Sequence, residues 1–433
     1  MSAARLSPYA GYALLLLFLA NVENYSQRLI LAILLPAIKT DLSLSDGQLG
    51  VLVGGAFGLF FATAGVPLAR FAERHGRVRW LSVAIVFWSA ASCSLAAART
   101  FLQMVLARIA VGVGQSVCIP TSHSLLADYV EEEQRPFAFG VHSTGGVVGA
   151  TLCLMLGGYL QGHVGWRDAL LWIACPGVVV GALLILTVRE PAHKSSTVSA
   201  DPAAVASLGE VVRQLLAIRS YALVLVAVCF ATLIEFGLNQ WLPSYYVRQF
   251  GLSVSDVGLR YGLAVACGGI PGSLLGGLLA TALARRDRRW LVWFPAAMYC
   301  CALPVGLSML LVSNAGTALV LNGLYSFVIF TTNGALWSAC FVGVPAPMRA
   351  TTSAITLLIA GITGLTAGPA LAGALSDFWS SRLGDRSLQA ALVSVETLAV
   401  CVVVPLVLTA RTLYEPQRSR PGGVRYGREN IAP

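Results

Sequence analysis

The chain has 433 residues, of which 57% are hydrophobic and 11% are charged, and its formal net charge is +9. A soluble protein carries about 25% charged residues, so this composition excludes a water-facing surface and turns most of the exterior toward lipid. The basic excess forms no stripe on a soluble module, which excludes nucleic acid as a partner.

Apolar runs of about 20 residues match the hydrocarbon thickness of a bilayer. In chain order they fall at 9–36, 47–69, 80–98, 101–129, 136–161, 168–188, 219–247, 257–284, 290–313, 315–344, 350–376 and 388–413. This predicts an all-α membrane protein of twelve transmembrane helices in two six-helix, pseudo-symmetric halves. The first half is 1–188, a cytoplasmic linker follows at 189–218, the second half is 219–413, and a tail at 414–433 completes the chain. The stretch Ala13 to Ala20 resembles the apolar part of a signal peptide, but it continues into a full span without a small-residue cleavage pattern and is expected to be retained. In the linker, Glu190 to Asp201 is rich in Ser, Ala and Pro. Leu208 to Ile218 sets Val211, Val212, Leu215 and Leu216 against Arg213 and Gln214, the pattern of a short amphipathic helix at a membrane surface. The tail, with Pro416, Pro421, Gly422 and Gly423, is expected to be disordered.

An even number of spans puts both termini on one side, and the basic residues choose the side. If that side is cytoplasmic, inner segments hold 20 Lys and Arg, among them Arg5, Arg189, Lys194 and the tail arginines, against 7 in the outer segments. The positive-inside rule then places both termini in the cytoplasm, and a bacterial inner membrane is the expected location.

The halves copy each other. Leu42-Ser43-Leu44-Ser45-Asp46 recurs 210 residues later as Leu252-Ser253-Val254-Ser255-Asp256. Each copy leads through an apolar span into an arginine-rich loop closed by Trp80 or Trp290, and Arg135 and Arg349 open matching glycine-rich spans. Paired repeats around a central site are the architecture of secondary transporters. Gly145, Gly149 and Gly157 on the fifth span, and Gly361, Gly364, Gly368 and Gly373 on the eleventh, predict close helix contacts. A bend is expected at Pro369. The ten cysteines all fall inside predicted helices without metal-ligand spacing and read as small buried hydrophobes. No metal or cofactor is expected.

Charges inside the membrane cost about 2.5–3.5 kcal/mol each on insertion scales, so they point to function. The first span carries Glu23, Asn24, Tyr25, Gln27 and Arg28, the fourth Arg108 and Gln115, the seventh Glu235, Asn239 and Trp241, and the tenth Asn333 and Trp337. Asn24 and Arg28 share a helix face, as do Arg108 and Gln115. A guanidinium offers five donors in a fixed fork that suits carboxylate, sulfonate or phosphate. The alternative makes each arginine an interhelical clasp, Glu235 a neutral packing acid, and Trp241 and Trp337 core aromatics. His123 and His142 read as hydrogen-bonded packing residues. In the loop from Arg70 to Arg79, Glu73 sits among Arg74, Arg77 and further arginines. Together with Arg135 it is expected to form a charge latch that opens and closes during transport, with Glu131, Glu132 and Glu133 nearby.

The segment from Gly65 to Arg79 resembles the signature loop of the major facilitator superfamily, with Glu73 where an aspartate is usual. Within that superfamily the chain is similar to the spinster-like branch. The likeness is carried by Asn24-Tyr25-Ser26-Gln27-Arg28, by Leu106-Ala107-Arg108 through Gly112-Val113-Gly114-Gln115, by His123 to Tyr129 and by Trp241-Leu242-Pro243. The resemblance implies a transporter, not an enzyme, that works by rocker-switch alternating access. It also marks two departures, because Gln27 and Gln115 replace carboxylates expected to bind protons, and glutamine cannot titrate. Glu235, at the repeat position of Tyr25, is the first candidate for a relocated coupling group, and Glu23 the second.

The expected function is transport of a small or amphipathic organic anion by a monomer surrounded by lipid, with protons as a candidate co-substrate. The predicted substrate site comprises Arg28, Arg108, Gln27, Gln115, Tyr25, Asn239, Trp241, Asn333 and Trp337. Other readings are a drug-type or lysolipid-type exporter with structural arginines, and a transporter-like receptor that binds without moving its ligand.

Overall fold

The computed structural model describes residues 7–131, 134–191, 208–342, 344 and 349–412. Every regular element among them is helical. The expectations for Arg5, Glu132, Glu133, Lys194, residues 192–207 and residues 413–433 lie outside the described residues.

The helices follow the predicted order. They are α1 (Pro8–Leu42), α2 (Asp46–His75), α3 (Arg77–Ala97) and α4 (Phe101–Tyr129). Next comes Arg135–Thr187, which breaks at Gly165, where φ is 84° and ψ is 168°. A residue without Cβ takes that backbone at little cost, and the break separates α5 (135–164) from α6 (166–187). The second half contains α7 (Arg219–Phe250), α8 (Val254–Arg286), α9 (Trp290–Leu311) and α10 (Ala315–Ala339). It ends with α11 (349–383) and α12 (387–412), separated at Gly384.

Several helices extend past the predicted spans, as α1 does to Leu42 and α2 to His75. Apolar runs end where charge begins, whereas backbone hydrogen bonding continues and long basic side chains reach the interface. Some starts are fixed by side chains. Ser45 with Gln48 and Thr100 with Gln103 form capping boxes at α2 and α4, each worth about 1 kcal/mol. The repeated motif does not start its two helices in the same register. Ser45 caps α2, but Ser253 caps α8, so Ser255 lies inside α8, where its hydroxyl donates to the Gly158 carbonyl at 2.8 Å.

The glycines act as predicted in packing. Gly145 and Gly149 of α5 lie against Phe18 and Val22 of α1, and Gly364 and Gly368 of α11 against Thr232 and Leu233 of α7. The expected bend at Pro369 is displaced. The irregular turn is π-helical and covers Gly361–Ala367, just before the proline. A second π-helical turn lies in α2 at Val51–Gly55. The two meet, with Gly54 against the Leu365 and Thr366 carbonyls. π-Turns of this kind concentrate at functional sites.

The halves touch along α2 and α11, from Gly47 beside Asp377 to Ala62 beside Gly361, and along α5 and α8, where Gly158 meets Gly258. Both contacts favour the predicted outer end. From Ala56 to His75, α2 buries only Ala56, Phe57, Gly58 and Ala72, so its basic end is largely uncovered. The linker helix, Leu208–Ala217, buries Leu215 against Tyr221, Leu225 and Val344 while Leu216 stays exposed. Cysteine burial is a partial correction. Cys118, Cys153 and Cys340 are buried, but Cys175, Cys267, Cys300 and Cys301 are exposed, because a lipid-facing surface accepts a small hydrophobe as readily as a core does.

Candidate substrate-binding site

Helices α1, α2 and α4 meet at two arginines. Arg28 is 6% exposed and Arg108 is 1% exposed. The one-turn spacing on α1 lets Arg28 Nη2 donate to Asn24 Oδ1 at 2.7 Å, and Asn24 Nδ2 in turn donates to the Gln115 carbonyl at 3.3 Å. Arg108 Nε donates to the Leu52 carbonyl, within the π-turn of α2, at 3.3 Å, and its Nη2 donates to the Arg28 carbonyl at 3.4 Å. The Phe57 ring serves both guanidiniums, at 5.5 Å from Arg28 and 4.7 Å from Arg108. Arg28 also lies 4.4 Å from the Phe61 ring and 4.7 Å from the Tyr25 ring.

These contacts leave the charges under-compensated. Cation–π attraction supplies roughly 0.5–2 kcal/mol, against several kcal/mol for burying an ion. Neither guanidinium forms an ion pair among the described residues. Arg28 Nε and Arg108 Nη1 are buried without a hydrogen-bond partner. The same region holds other unpartnered polar atoms, namely both amide atoms of Gln115, Asn21 Oδ1, His123 Nε2 and both ring nitrogens of His142. The two imidazoles lie 5.1 Å apart, so the hydrogen-bonded packing expected of them is absent for the His142 ring among the described residues. Such unpartnered donors and acceptors can hydrogen-bond to a polar ligand, and a guanidinium fork has the geometry to bind a carboxylate or phosphate.

The predicted residues do not all converge. Gln27 turns to the other side of α1, where Nε2 donates to Glu23 Oε2 at 3.0 Å and to Ser89 Oγ at 3.2 Å. Tyr25 lies against Gly146 of α5 as well as under Arg28. In the second half, Glu235 and Asn239 line a narrow crevice with Leu242, Asn322, Tyr325 and Ser326. Glu235 makes no hydrogen bond or ion pair among the described residues. Asn239 Oδ1 accepts from Tyr261 at 3.4 Å. Trp241 is fully buried, and its indole donates to the Pro369 carbonyl at 3.0 Å, so it packs on α11. Asn333 and Trp337 are half-buried farther along α10 and do not line the crevice.

Residues 16–368 match the sequence model of the Major Facilitator Superfamily. The chain belongs to this superfamily. It is 29% identical over 377 residues to an MFS-type efflux pump of Mycolicibacterium smegmatis, covering 87% of this chain and 86% of the relative. It is 27% identical over 397 residues to a hexuronate transporter of Bacillus subtilis, covering 89% and 93%. Among solved structures, a bacterial homologue of the human lysosomal transporter Spinster, in an inward-facing and unoccupied conformation, superposes with a TM-score of 0.85. That match has 25% identity and covers 94% of this chain and 98% of the other. The chain is thus an integral membrane transporter of the superfamily, with spinster-like structural neighbours.

The superfamily's signature loop takes a definite arrangement here. Arg77, 2% exposed, pairs with Asp128 at 2.6 Å and with Glu190 at 3.0 Å, and donates to Ser124. Arg135 donates from Nε and Nη2 to the Ala127 carbonyl. These partners belong to the first half, apart from Glu190 at the start of the linker. Glu73 and Arg74 are exposed and form no ion pair among the described residues.

The opposite end carries a latch that sequence reading missed. Asp46, 2% exposed, accepts a bidentate pair from Arg248 of α7 at 2.7 and 2.8 Å. It also accepts from Lys39 at 2.6 Å and from Ser376 of α11 at 2.7 Å. Asp377 receives the first backbone N–H groups of α2, from Asp46 at 2.9 Å and Gly47 at 2.7 Å. A carboxylate there satisfies free amides and the positive end of the helix dipole. Asp46 stands in the repeated motif, but its counterpart Asp256 pairs within its own helix with Arg260. The signal was therefore visible while its use was not.

Gly112 holds the aromatic platform in register. A Cβ at this position would stand 2.7 Å from the Phe57 carbonyl oxygen. Gly112→Ala is expected to displace Phe57 and destabilise the fold by roughly 1–3 kcal/mol, the usual cost of overpacking. A lowered melting temperature in detergent, with weakened anion binding, checks this. An unchanged melting temperature would show that α2 moves freely there.

Proposed function

We propose that the chain is a secondary transporter of a small organic anion in a bacterial inner membrane, with both termini cytoplasmic and the monomer as the working unit. The observation that carries the reading is the pair of buried guanidiniums, Arg28 and Arg108, with unpartnered donors and no ion pair among the described residues. An anion supplies the missing acceptors, and the relative named for hexuronate moves such a molecule. Contacts concentrated at the Asp46 end and an uncovered basic end describe the inward-facing member of an alternating-access pair. Glu235, on the crevice, is the coupling group, with Glu23 as the secondary candidate. Glu73, Arg74, Arg77 and Arg135 belong to the inner gate.

The aromatic surface of Tyr25, Phe57 and Phe61 around Arg28 favours a second reading, export of an amphipathic compound, in line with the relative named as an efflux pump. Proteoliposomes separate the two. Purified protein is expected to take up labelled glucuronate, a hexuronate, and to accumulate it under an inwardly directed proton gradient. Glu235→Gln is expected to lose the gradient-driven part and keep counterflow exchange. Failure of the wild type to bind or move glucuronate and other small carboxylates or sulfonates, with transport of an amphipathic dye, would favour the exporter.

A further inference from the structure

One acidic side chain in the second half has no role in the site described above. Glu396 lies on α12 and is 1% exposed. Tyr325 of α10 donates its hydroxyl hydrogen to Glu396 Oε2 at 2.8 Å. Gly306 of α9 lies against the other oxygen, since a Cβ there would stand 2.6 Å from Oε1. Among the described residues no arginine, lysine or histidine forms an ion pair with it.

The carboxyl is therefore boxed in by helices α9, α10 and α12, with a phenol as its defined hydrogen-bond partner. A carboxylate enclosed in this way without a cation costs several kcal/mol, which is a high cost for packing alone. Aliphatic side chains of similar volume would fill the space without it. Intramembrane acids of this kind mark proton or ion pathways.

The position is connected to the crevice. Tyr325 lines the same crevice as Glu235, Asn239 and Asn322, while its hydroxyl reaches back to Glu396. Tyr299 of α9 lies near both Glu235 and Glu396. The titratable groups beside Glu396 are thus Tyr325 from α10 and Tyr299 from α9, and Glu235 of α7 stands next to these two tyrosines. Tyr245, also on α7, is turned to the Leu310 carbonyl. On α11 the acidic side chain is Asp377, which is engaged at the outer latch.

We propose that Glu396, held by Tyr325 and reached from the Glu235 crevice, is a second proton-binding site of the transport cycle. The proposal rests on the transport reading above. In the loading step a proton from crevice water passes to the Tyr325 oxygen as the Tyr325 hydroxyl hydrogen passes to the Glu396 carboxylate. The result is a neutral carboxylic acid and an unchanged phenol. Release runs the same exchange in reverse. Substrate or helix motion that draws Tyr325 away from Glu396 removes the one side-chain donor to the carboxylate among the described residues, and so ties the proton to the state of the crevice.

Infrared difference spectra of the purified protein between about pH 5 and about pH 9 test the site without substrate. A carbonyl band from a protonated carboxyl is expected in the wild type. It should be lost in Glu396→Gln and shifted in frequency in Tyr325→Phe, because the hydrogen bond changes. Should Glu396→Gln fail to fold, the Tyr325→Phe shift decides, and an unshifted spectrum overturns the site. Identical spectra for wild type and Glu396→Gln overturn it as well. In proteoliposomes, Glu396→Gln is expected to reduce proton-driven glucuronate accumulation to the level reached without a gradient, with exchange retained. Wild-type accumulation in Glu396→Gln would exclude a part in coupling. Absence of any glucuronate movement by the wild type would instead overturn the hexuronate reading and leave the infrared result standing.

Discussion

Arg108→Ala is expected to abolish measurable binding of a hexuronate or a similar small anion while the protein remains folded and monodisperse. The guanidinium is 1% exposed and carries one buried Nη with no partner. Removing a buried, hydrogen-bonded charge from a complex costs about 2–5 kcal/mol, or roughly 30-fold to several thousand-fold in affinity. Arg108→Lys should recover part of this loss. It restores the charge, but it cannot reach the Leu52 and Arg28 carbonyls and the ligand together, as the guanidinium fork can. Titration calorimetry with glucuronate and counterflow in proteoliposomes measure both variants. Normal binding by Arg108→Ala would make the arginine a clasp between α2 and α4 and remove the case for an anionic substrate. The fold itself is expected to tolerate the change, since the arginine's hydrogen bonds run to carbonyls and not to a carboxylate that would be stranded.

Asp46→Asn is expected to have the second large effect, on conformation more than on binding. One carboxylate receives Arg248 from the second half, Lys39 from its own half and Ser376 from α11. The amide cannot accept the bidentate pair, and two cations lose their partner. Breaking a largely buried pair in this way costs about 3–5 kcal/mol, and a few kcal/mol is enough to invert a two-state equilibrium. The population should shift from the form closed at the Asp46 end toward one open there. Spin labels at Thr40 and Ser381, in a background with the native cysteines replaced, are expected to report longer distances in the variant. Arg248→Ala should give the same direction of change, because it removes the other side of the pair. Unchanged distances in both variants would show that the glycine contacts of α2 with α11 hold the end closed on their own.

The residues behind these two predictions differ in how visible they were. Arg108 was legible because an arginine in an apolar span is costly wherever the helix packs. The same holds for Arg28, and their lack of acidic neighbours was evident from the helix faces. Gln27 is grouped with them because it stands in the motif from Asn24 to Arg28 where the resemblance places a carboxylate. Its amide in fact turns to Glu23 and Ser89, and rotation about α1 follows from packing that the span itself does not encode. Trp241 stands among the predicted site residues with a core aromatic as the alternative, and its buried indole, satisfied by the Pro369 carbonyl 128 residues away, matches the alternative. Glu396 passed without notice because one glutamate near the start of the last span resembles an interfacial residue until α9 and α10 are seen to enclose it.

The sequence alone determined the helical membrane class of the protein, the order of its apolar segments, the repeated pentapeptide, and the two arginines. Each of these depends on local quantities: the length of an apolar run, the cost of a charge within it, the spacing of a repeat. Tertiary structure alone decided what the copies do with what they share. Asp46 binds across the halves while Asp256 binds along its own helix. Ser45 caps a helix while Ser255 sits inside one and bonds to Gly158. Near-identical pentapeptides reach different partners because distant parts of the chain, more than 300 residues away in the case of Asp377 of the opposite half, determine which groups stand within hydrogen-bond range.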